Sequence, residues 1–202
     1  MEKLPLTKEM TEARKRLWYC VYITDRWCCA VLGRPLAISD ADCDIELPDI
    51  THNGNDYTVF VNFVKLSGIL GEVLSRIYSP KAKSHGSKSM QTYHTVQSIH
   101  FMLNDWLQQL PNHLRIESQD VNTALNYGNI KFEEAGPLMI CYHFVLILLY
   151  RIFLVANKSE VLPELFDRAN ECCTTAAKSI VDIARRLSAS AIVCFGVNFA
   201  GN

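Results

Sequence analysis

The run Leu138-Met-Ile-Cys-Tyr-His-Phe-Val-Leu-Ile-Leu-Leu-Tyr-Arg-Ile-Phe-Leu-Val-Ala156 holds a single full charge, and it constrains everything else this chain can do. Its length would suit a bilayer. A helix that is apolar all round is also what the centre of a soluble bundle requires, because neighbours cover every side. His143, Tyr142, Tyr150 and Arg151 interrupt the run, and a central arginine costs about 2.5–3.5 kcal/mol in lipid. The sequence therefore predicts a water-soluble bundle with this segment as its spine and no membrane partner.

Four further stretches have helical spacing, and no strand alternation is long enough to compete. The first runs from about Thr11 to Leu32, with Leu17, Val21, Trp27, Cys28, Val31 and Leu32 expected on one side. Gly33 then supplies a C-cap, and Pro35 prevents continuation. The second spans about 57–78, its Phe60, Phe63, Val64, Leu70, Val73, Leu74 and Ile77 following the three-four spacing of a buried face. The third covers about 92–110, carrying Val96, Ile99, Leu103, Leu107 and Leu110 up to Pro111. The last, about 165–187, places Ala169, Cys172, Ala176, Ile180, Ala184 and Leu187 on a narrow stripe. Pro80 to Ser89 reads as an exposed loop, and Glu117 to Lys131 is polar and ambiguous. The expected fold is all-α, an irregular multi-helix bundle with a nearly apolar central helix.

A formal net charge of −1 gives the 202-residue chain no overall field for holding a polyanion. The eight cysteines include no C-x-x-C pair, and two pairs are directly adjacent, a spacing rarely used by tetrahedral zinc. They read as reduced, buried thiols in a reducing compartment, since Met1 to Pro5 has no apolar signal core.

The densest cluster of unusual residues lies between Arg14 and Pro48. It begins with Arg14-Lys15-Arg16, expected to be a solvated face rather than a DNA patch. Asp25-Arg26 sits inside the first helix, where a charged pair either faces solvent or joins a buried network with a partner such as Arg34. Asp40, Asp42, Asp44 and Glu46 alternate, but an EF-hand loop would need Gly and Glu where Ile45 and Thr51 stand. Ser39 is instead expected to cap a short turn whose positive end attracts the acids. No nucleophile elbow, phosphate-cradling glycine loop or H-E-x-x-H motif occurs, so no catalytic or metal residue is nominated.

The Arg14 to Pro48 stretch resembles the signature of the fungal-specific transcription factor domain, the middle homology region of zinc-cluster regulators. The matching features are Arg14-Lys15-Arg16, Leu17-Trp18, Asp25-Arg26, Gly33-Arg34-Pro35, Ile38 to Asp44, and Leu47-Pro48. Lys65-Leu66 to Tyr78-Ser79, Trp106-Leu107 with Leu110-Pro111, and Tyr142-His143 with Leu149-Tyr150-Arg151 are similar to later family segments. The cutinase-regulator-like and xylanolytic-activator-like groups fit equally. The resemblance implies a nuclear regulator whose DNA reading belongs to an N-terminal six-cysteine zinc cluster, a pattern absent from this sequence. It further implies one regulatory domain over 1–202, incomplete at both ends, since the chain stops at Gly196 to Asn202 without the family's further helices.

On this reading the chain holds no cofactor, and zinc belongs only to the missing cluster. Its partners are transcriptional co-regulators or a small-molecule effector, with a homodimer as one arrangement of the full-length protein. Asp25, Arg26, Arg34, His143 and Arg151 are expected to form a structural polar network or line an effector pocket, with Trp27 and Tyr142 as further lining. The alternative is an all-helical enzyme whose active site sequence motifs do not reveal.

Overall fold

A computed structural model describes residues 7–84, 89–116, 130–155, 163–188 and 190–191. The described elements are helices apart from one hairpin of two two-residue strands, so the protein is all-α. Helix α1 is Lys8–Leu32, α2 is Thr58–Val73 with a π turn Leu74–Tyr78 continuing it, and α3 is the short Pro80–Ser84. Then follow α4, Met90–Gln109, α5, Ile130–Val155, and α6, Pro163–Ala184. Strands β1, Thr51–His52, and β2, Asn55–Asp56, pair antiparallel between α1 and α2.

The apolar run lies in α5, and α5 is the spine. It lies along α6 and packs on α2 and α4. Leu138, Val145, Leu149 and Phe153 have no exposed surface. Each such burial contributes about 1.5–3 kcal/mol. Both Thr58–Tyr78 and Glu133–Val155 are long and apolar enough to cross a membrane by length and composition. In the fold both are inner helices, α2 burying Val61, Phe63, Val64, Leu66, Ile69, Leu70 and Val73.

Helix α5 begins well before Leu138 and passes through Pro137, whose missing N–H deprives one carbonyl of its donor. Tertiary packing outweighs that loss: Ala135, Leu138 and Met139 are buried, and the Glu133 carboxylate accepts from the Ser188 amide and hydroxyl at 3.2 and 2.7 Å. Gly136 allows close packing there, because a Cβ would stand 2.6 Å from Leu187 Cδ2 and that side chain would have to shift.

Helix ends follow capping chemistry. The Thr7 hydroxyl accepts from the Met10 amide, and the Ser89 hydroxyl from the Thr92 amide. Gly33, at φ 65°, closes α1 in the left-handed region, as expected from sequence. Asp56 accepts the Thr58 amide at 2.8 Å and starts α2. Two expectations fail here. Pro80–Ser84 is a helical turn rather than loop, while the remainder of that predicted loop through residue 88 lies outside the described residues. The hairpin was also absent from the predicted elements, although Asn53-Gly54, both at positive φ, is a strong hairpin-turn signal. The polar stretch 117–129, the end of the apolar run at Ala156, and Gly196 to Asn202 also lie outside the described residues.

The buried face of α1 differs from expectation. Glu12, Tyr19, Tyr22, Ile23, Arg26 and Cys29 face inward, whereas Leu17, Val21, Cys28, Val31 and Leu32 face out. Of the predicted side, only Trp27 packs on the core. Hydrophobicity assigned the wrong face because the inward residues are fixed by hydrogen bonds to a segment up to 37 positions away.

Candidate functional site

Residues 34–49 form a strap laid along the inward face of α1, and the signature residues fasten it. After the Gly33 turn, the Arg34 amide donates to the Cys29 carbonyl at 3.2 Å. The Asp25 carboxylate then accepts the Ala37 and Ile38 amides at 3.0 and 3.3 Å. Two otherwise orphaned backbone donors are thereby satisfied by a charged acceptor, the stronger kind of hydrogen bond.

Arg26 is the central fastener and is fully buried. Its guanidinium contacts Asp25 at 3.1 Å, donates to Asp40 at 2.8 Å, and donates to the Ile38 carbonyl at 3.3 Å. The charge also lies 3.4 Å from the centroid of the Tyr22 ring. Its Nε has no partner, so the site is strongly but incompletely satisfied. Burial, with the Asp40 carboxylate beside it, raises the Tyr22 hydroxyl pKa well above its ordinary range.

Further along the strap the fastenings continue. The Tyr19 hydroxyl donates to the Ile45 carbonyl at 2.7 Å. Buried Glu12 accepts the Asp49 amide at 2.8 Å and pairs with Lys15 at 3.0 Å, and Lys15 reaches Glu46 at 3.4 Å. Burial works against ionisation of Glu12, but the Asp49 amide and the Lys15 ammonium outweigh it and lower its pKa. The basic start is thus only partly a solvated face. Arg14 is exposed, Lys15 is tied to two carboxylates, and Arg16 stacks 4.5 Å over Tyr57. Asp40 to Asp42 form a short 3₁₀ turn, but the Ser39 hydroxyl does not cap it, contrary to expectation. Asp40 serves Arg26 instead.

The other nominated residues lie elsewhere. Trp27 donates to the Ser67 hydroxyl at 2.9 Å and contacts the rings of Phe63 and Phe144 at 5.3 and 5.7 Å, joining α1 to α2 and α5. Tyr142 is buried and stacks on Trp106 at 5.6 Å, and Trp106 donates to the Asn62 carbonyl. His143 contacts Tyr142 edge-on at 5.2 Å, its Nδ1 is buried without a partner, and burial lowers its pKa to about 4. Arg34 and Arg151 are exposed and do not join the Arg26 cluster. The five-residue network expected from sequence is therefore divided: Asp25 and Arg26 act together, with Asp40 and Tyr22 as partners the sequence reading did not nominate. The alternation of acids from Asp40 to Glu46 was the available signal.

An open groove of about 740 Å³ lies between α5 and α6, floored by Ile147, Leu154, Cys173, Ala177 and Val181 and edged by Lys178, Asp182 and Arg185. None of the predicted lining residues borders it.

The described side chains do not gather as zinc ligands do. Among the described residues, no three His, Cys, Asp or Glu side chains gather as a metal site. Burial raises the thiol pKa of Cys20, Cys29, Cys141, Cys172 and Cys173, opposing the thiolate that zinc binds. The described cysteines form no disulfide, and Cys28 is exposed rather than buried.

Comparison with known proteins follows the same line. Residues 3–108 match the model of the fungal specific transcription factor domain. Over 91% of its length the chain is 26% identical to an uncharacterized transcriptional regulatory protein of Schizosaccharomyces pombe, covering 22% of that protein. It is 28% identical to activator of stress genes 1 of Saccharomyces cerevisiae, over 87% of the chain and 19% of the relative. It is 27% identical to the transcriptional activator protein acu-15 of Neurospora crassa, again over 87% of the chain and 19% of the relative. The chain thus spans about a fifth of the length of these relatives. No solved structure matches.

Proposed function

The chain belongs to the fungal specific transcription factor domain family, and from that membership we propose that it is a nuclear regulatory module that modulates transcription without touching DNA itself. The family and the relatives are transcriptional regulators, which supports a non-enzymatic role. The observation that carries the reading is the use made of the signature residues. Lys15, Asp25 and Arg26, helped by Glu12 just ahead of the signature, are committed to fastening the strap, which supports an architectural role for the motif. Lys15 and Arg16 are engaged as well, leaving no continuous basic surface for phosphates along α1.

A regulator of this kind acts by letting a co-regulator or effector favour one helix arrangement over another. The groove between α5 and α6 is a suitable seat, since an apolar floor with a charged rim fits apolar side chains carried by a polar partner. Zinc and DNA reading belong, on this proposal, to a cluster elsewhere in the regulator, and the chain itself carries no cofactor.

Fusing the chain to an unrelated sequence-specific DNA-binding domain at a reporter promoter tests the proposal. Expression should differ from that given by the DNA-binding domain alone, and Asp25→Asn should reduce the difference at equal protein level. Output identical to the bare DNA-binding domain would overturn it.

A further inference from the structure

The Ser39 hydroxyl makes no capping bond to the turn that follows it. The residue is exposed and its backbone extended, at φ −91° and ψ 129°, the shape in which a protein kinase takes up a substrate. Its carbonyl is engaged, accepting from the Asp42 amide and the Cys43 thiol, both at 3.2 Å. Exposed acids follow it at the first, third, fifth and seventh positions, as Asp40, Asp42, Asp44 and Glu46. Among the described residues, Asp42 and Asp44 form no ion pair, whereas Asp40 and Glu46 do. Acids alone make no site, but these follow a hydroxyl bracketed by a buried cation. A single nitrogen of Arg26, Nη2, donates to the Ile38 carbonyl at 3.3 Å and to the Asp40 carboxylate at 2.8 Å, on either side of Ser39. The same guanidinium, with no exposed surface, keeps its Nε without a partner.

We propose that Ser39 is a phosphorylation site for an acid-directed serine/threonine kinase, and that the phosphate unfastens the middle of the strap. In the transfer, Ser39 Oγ bonds to the terminal phosphorus of ATP as the bond to ADP breaks, and the hydroxyl proton passes to the kinase's base. A kinase of this class reads acids beyond the acceptor with basic side chains, and the unpaired carboxylates of Asp42 and Asp44 are open to it. The new group carries about −1.5 to −2 charges and three acceptor oxygens. It repels Asp40 and competes with it for Arg26, since phosphate and carboxylate suit the same planar fork. Opening is confined to 38–42, because Tyr19 still holds Ile45 and Glu12 still holds Asp49.

Incubating the whole chain with casein kinase II and magnesium ATP, followed by phosphopeptide mass spectrometry, tests the acceptor. Ser39 should be modified, and Asp42→Asn should slow its modification at least about tenfold without altering the helical circular dichroism. Ser179 has Asp182 at the same third position but is half-buried within α6, and it should stay unmodified. No phosphate on Ser39, a rate indifferent to Asp42→Asn, or equal labelling of Ser179 overturns the proposal. Hydrogen exchange tests the consequence: amides 38–42 of the phosphorylated chain should exchange at least about tenfold faster than before modification, with α5 unchanged. Exchange at the former rate overturns the unfastening. Neither readout depends on transcription, so this site and the regulatory reading can fail separately.

Discussion

Arg26, with no exposed surface, donates at 2.8 Å to Asp40, whose side chain is 47% exposed. One end of this ion pair is inside the fold and the other at its edge. The pair ties the strap to α1 where α2 passes beneath it, with Gly71 approaching both partners: a Cβ there would stand 3.5 Å from Arg26 Nε and from Asp40 Oδ2. The two ends should therefore respond unequally to substitution.

Asp40→Asn leaves Arg26 with Asp25, the Ile38 carbonyl and the Tyr22 ring, and solvent already screens the lost charge. Its cost should be about 1 kcal/mol. Arg26→Lys keeps the charge but cannot reach Asp25, Asp40 and Ile38 together, since an ammonium lacks the planar fork. That variant should lose about 3 kcal/mol, close to the cost of breaking a buried pair. Urea unfolding of both proteins checks the ordering. Equal losses would mean that the guanidinium geometry is irrelevant.

Fastening by Asp25 predicts a local signature. Asp25→Asn retains an acceptor for only one of the two amides now held, those of Ala37 and Ile38. Hydrogen exchange should quicken in 36–39 while α5 remains protected, because local opening need not involve the core. Uniform acceleration throughout the chain would show that the strap is not a separate unit.

These contacts explain what the sequence made legible. The helices, the Gly33 cap and the core status of the Leu138 run all follow from local rules, which depend on residues three or four positions apart. The facing of α1 does not, because Arg26 and Asp40 are 14 positions apart and Glu12 and Asp49 are 37 apart. Once those polar residues turn inward, Leu17, Val21 and Val31 must turn outward, against their hydrophobicity. Helix α5 likewise starts before Pro137 because Glu133 and Ser188, 55 positions apart, hold its first turns. Arg34 and Arg151 share the residue type of Arg26 but lie on outward turns, and composition does not distinguish them.

Thiol reactivity should separate the cysteines sharply. Cys28 is exposed, whereas burial raises the pKa of Cys141 to about 12 and of Cys173 to about 11. Cys29 is buried beside Asp25, and burial and that carboxylate both raise its pKa. Maleimide labelling of the native protein, read by mass spectrometry, should modify Cys28 at least about a hundredfold faster than Cys29 or Cys141. Comparable rates at Cys28 and Cys29 would mean that α1 presents the other face.

The last prediction concerns pH and rests on His143. Burial lowers its pKa from an ordinary 6.5 to about 4, so the folded protein keeps the imidazole neutral while the unfolded chain takes up a proton below pH 6.5. Between those values the unfolded state binds more protons, so stability falls as pH falls. The full effect is about 2–4 kcal/mol, present above pH 6.5 and gone near pH 4. His100 is shifted the same way, by burial and then by Arg168, and adds to the slope. Glu12 and Asp56, both with lowered pKa, act in the same direction but only below the ordinary carboxylate range. His143→Gln removes the titrating group without breaking a bond at Nδ1, which has no partner. Its stability, measured by urea unfolding from pH 7.5 to 4.5, should therefore decline less steeply than that of the parent chain. Parallel declines would place the sensitivity in other groups and would mean that His143 takes up its proton in the folded protein as readily as in the unfolded one.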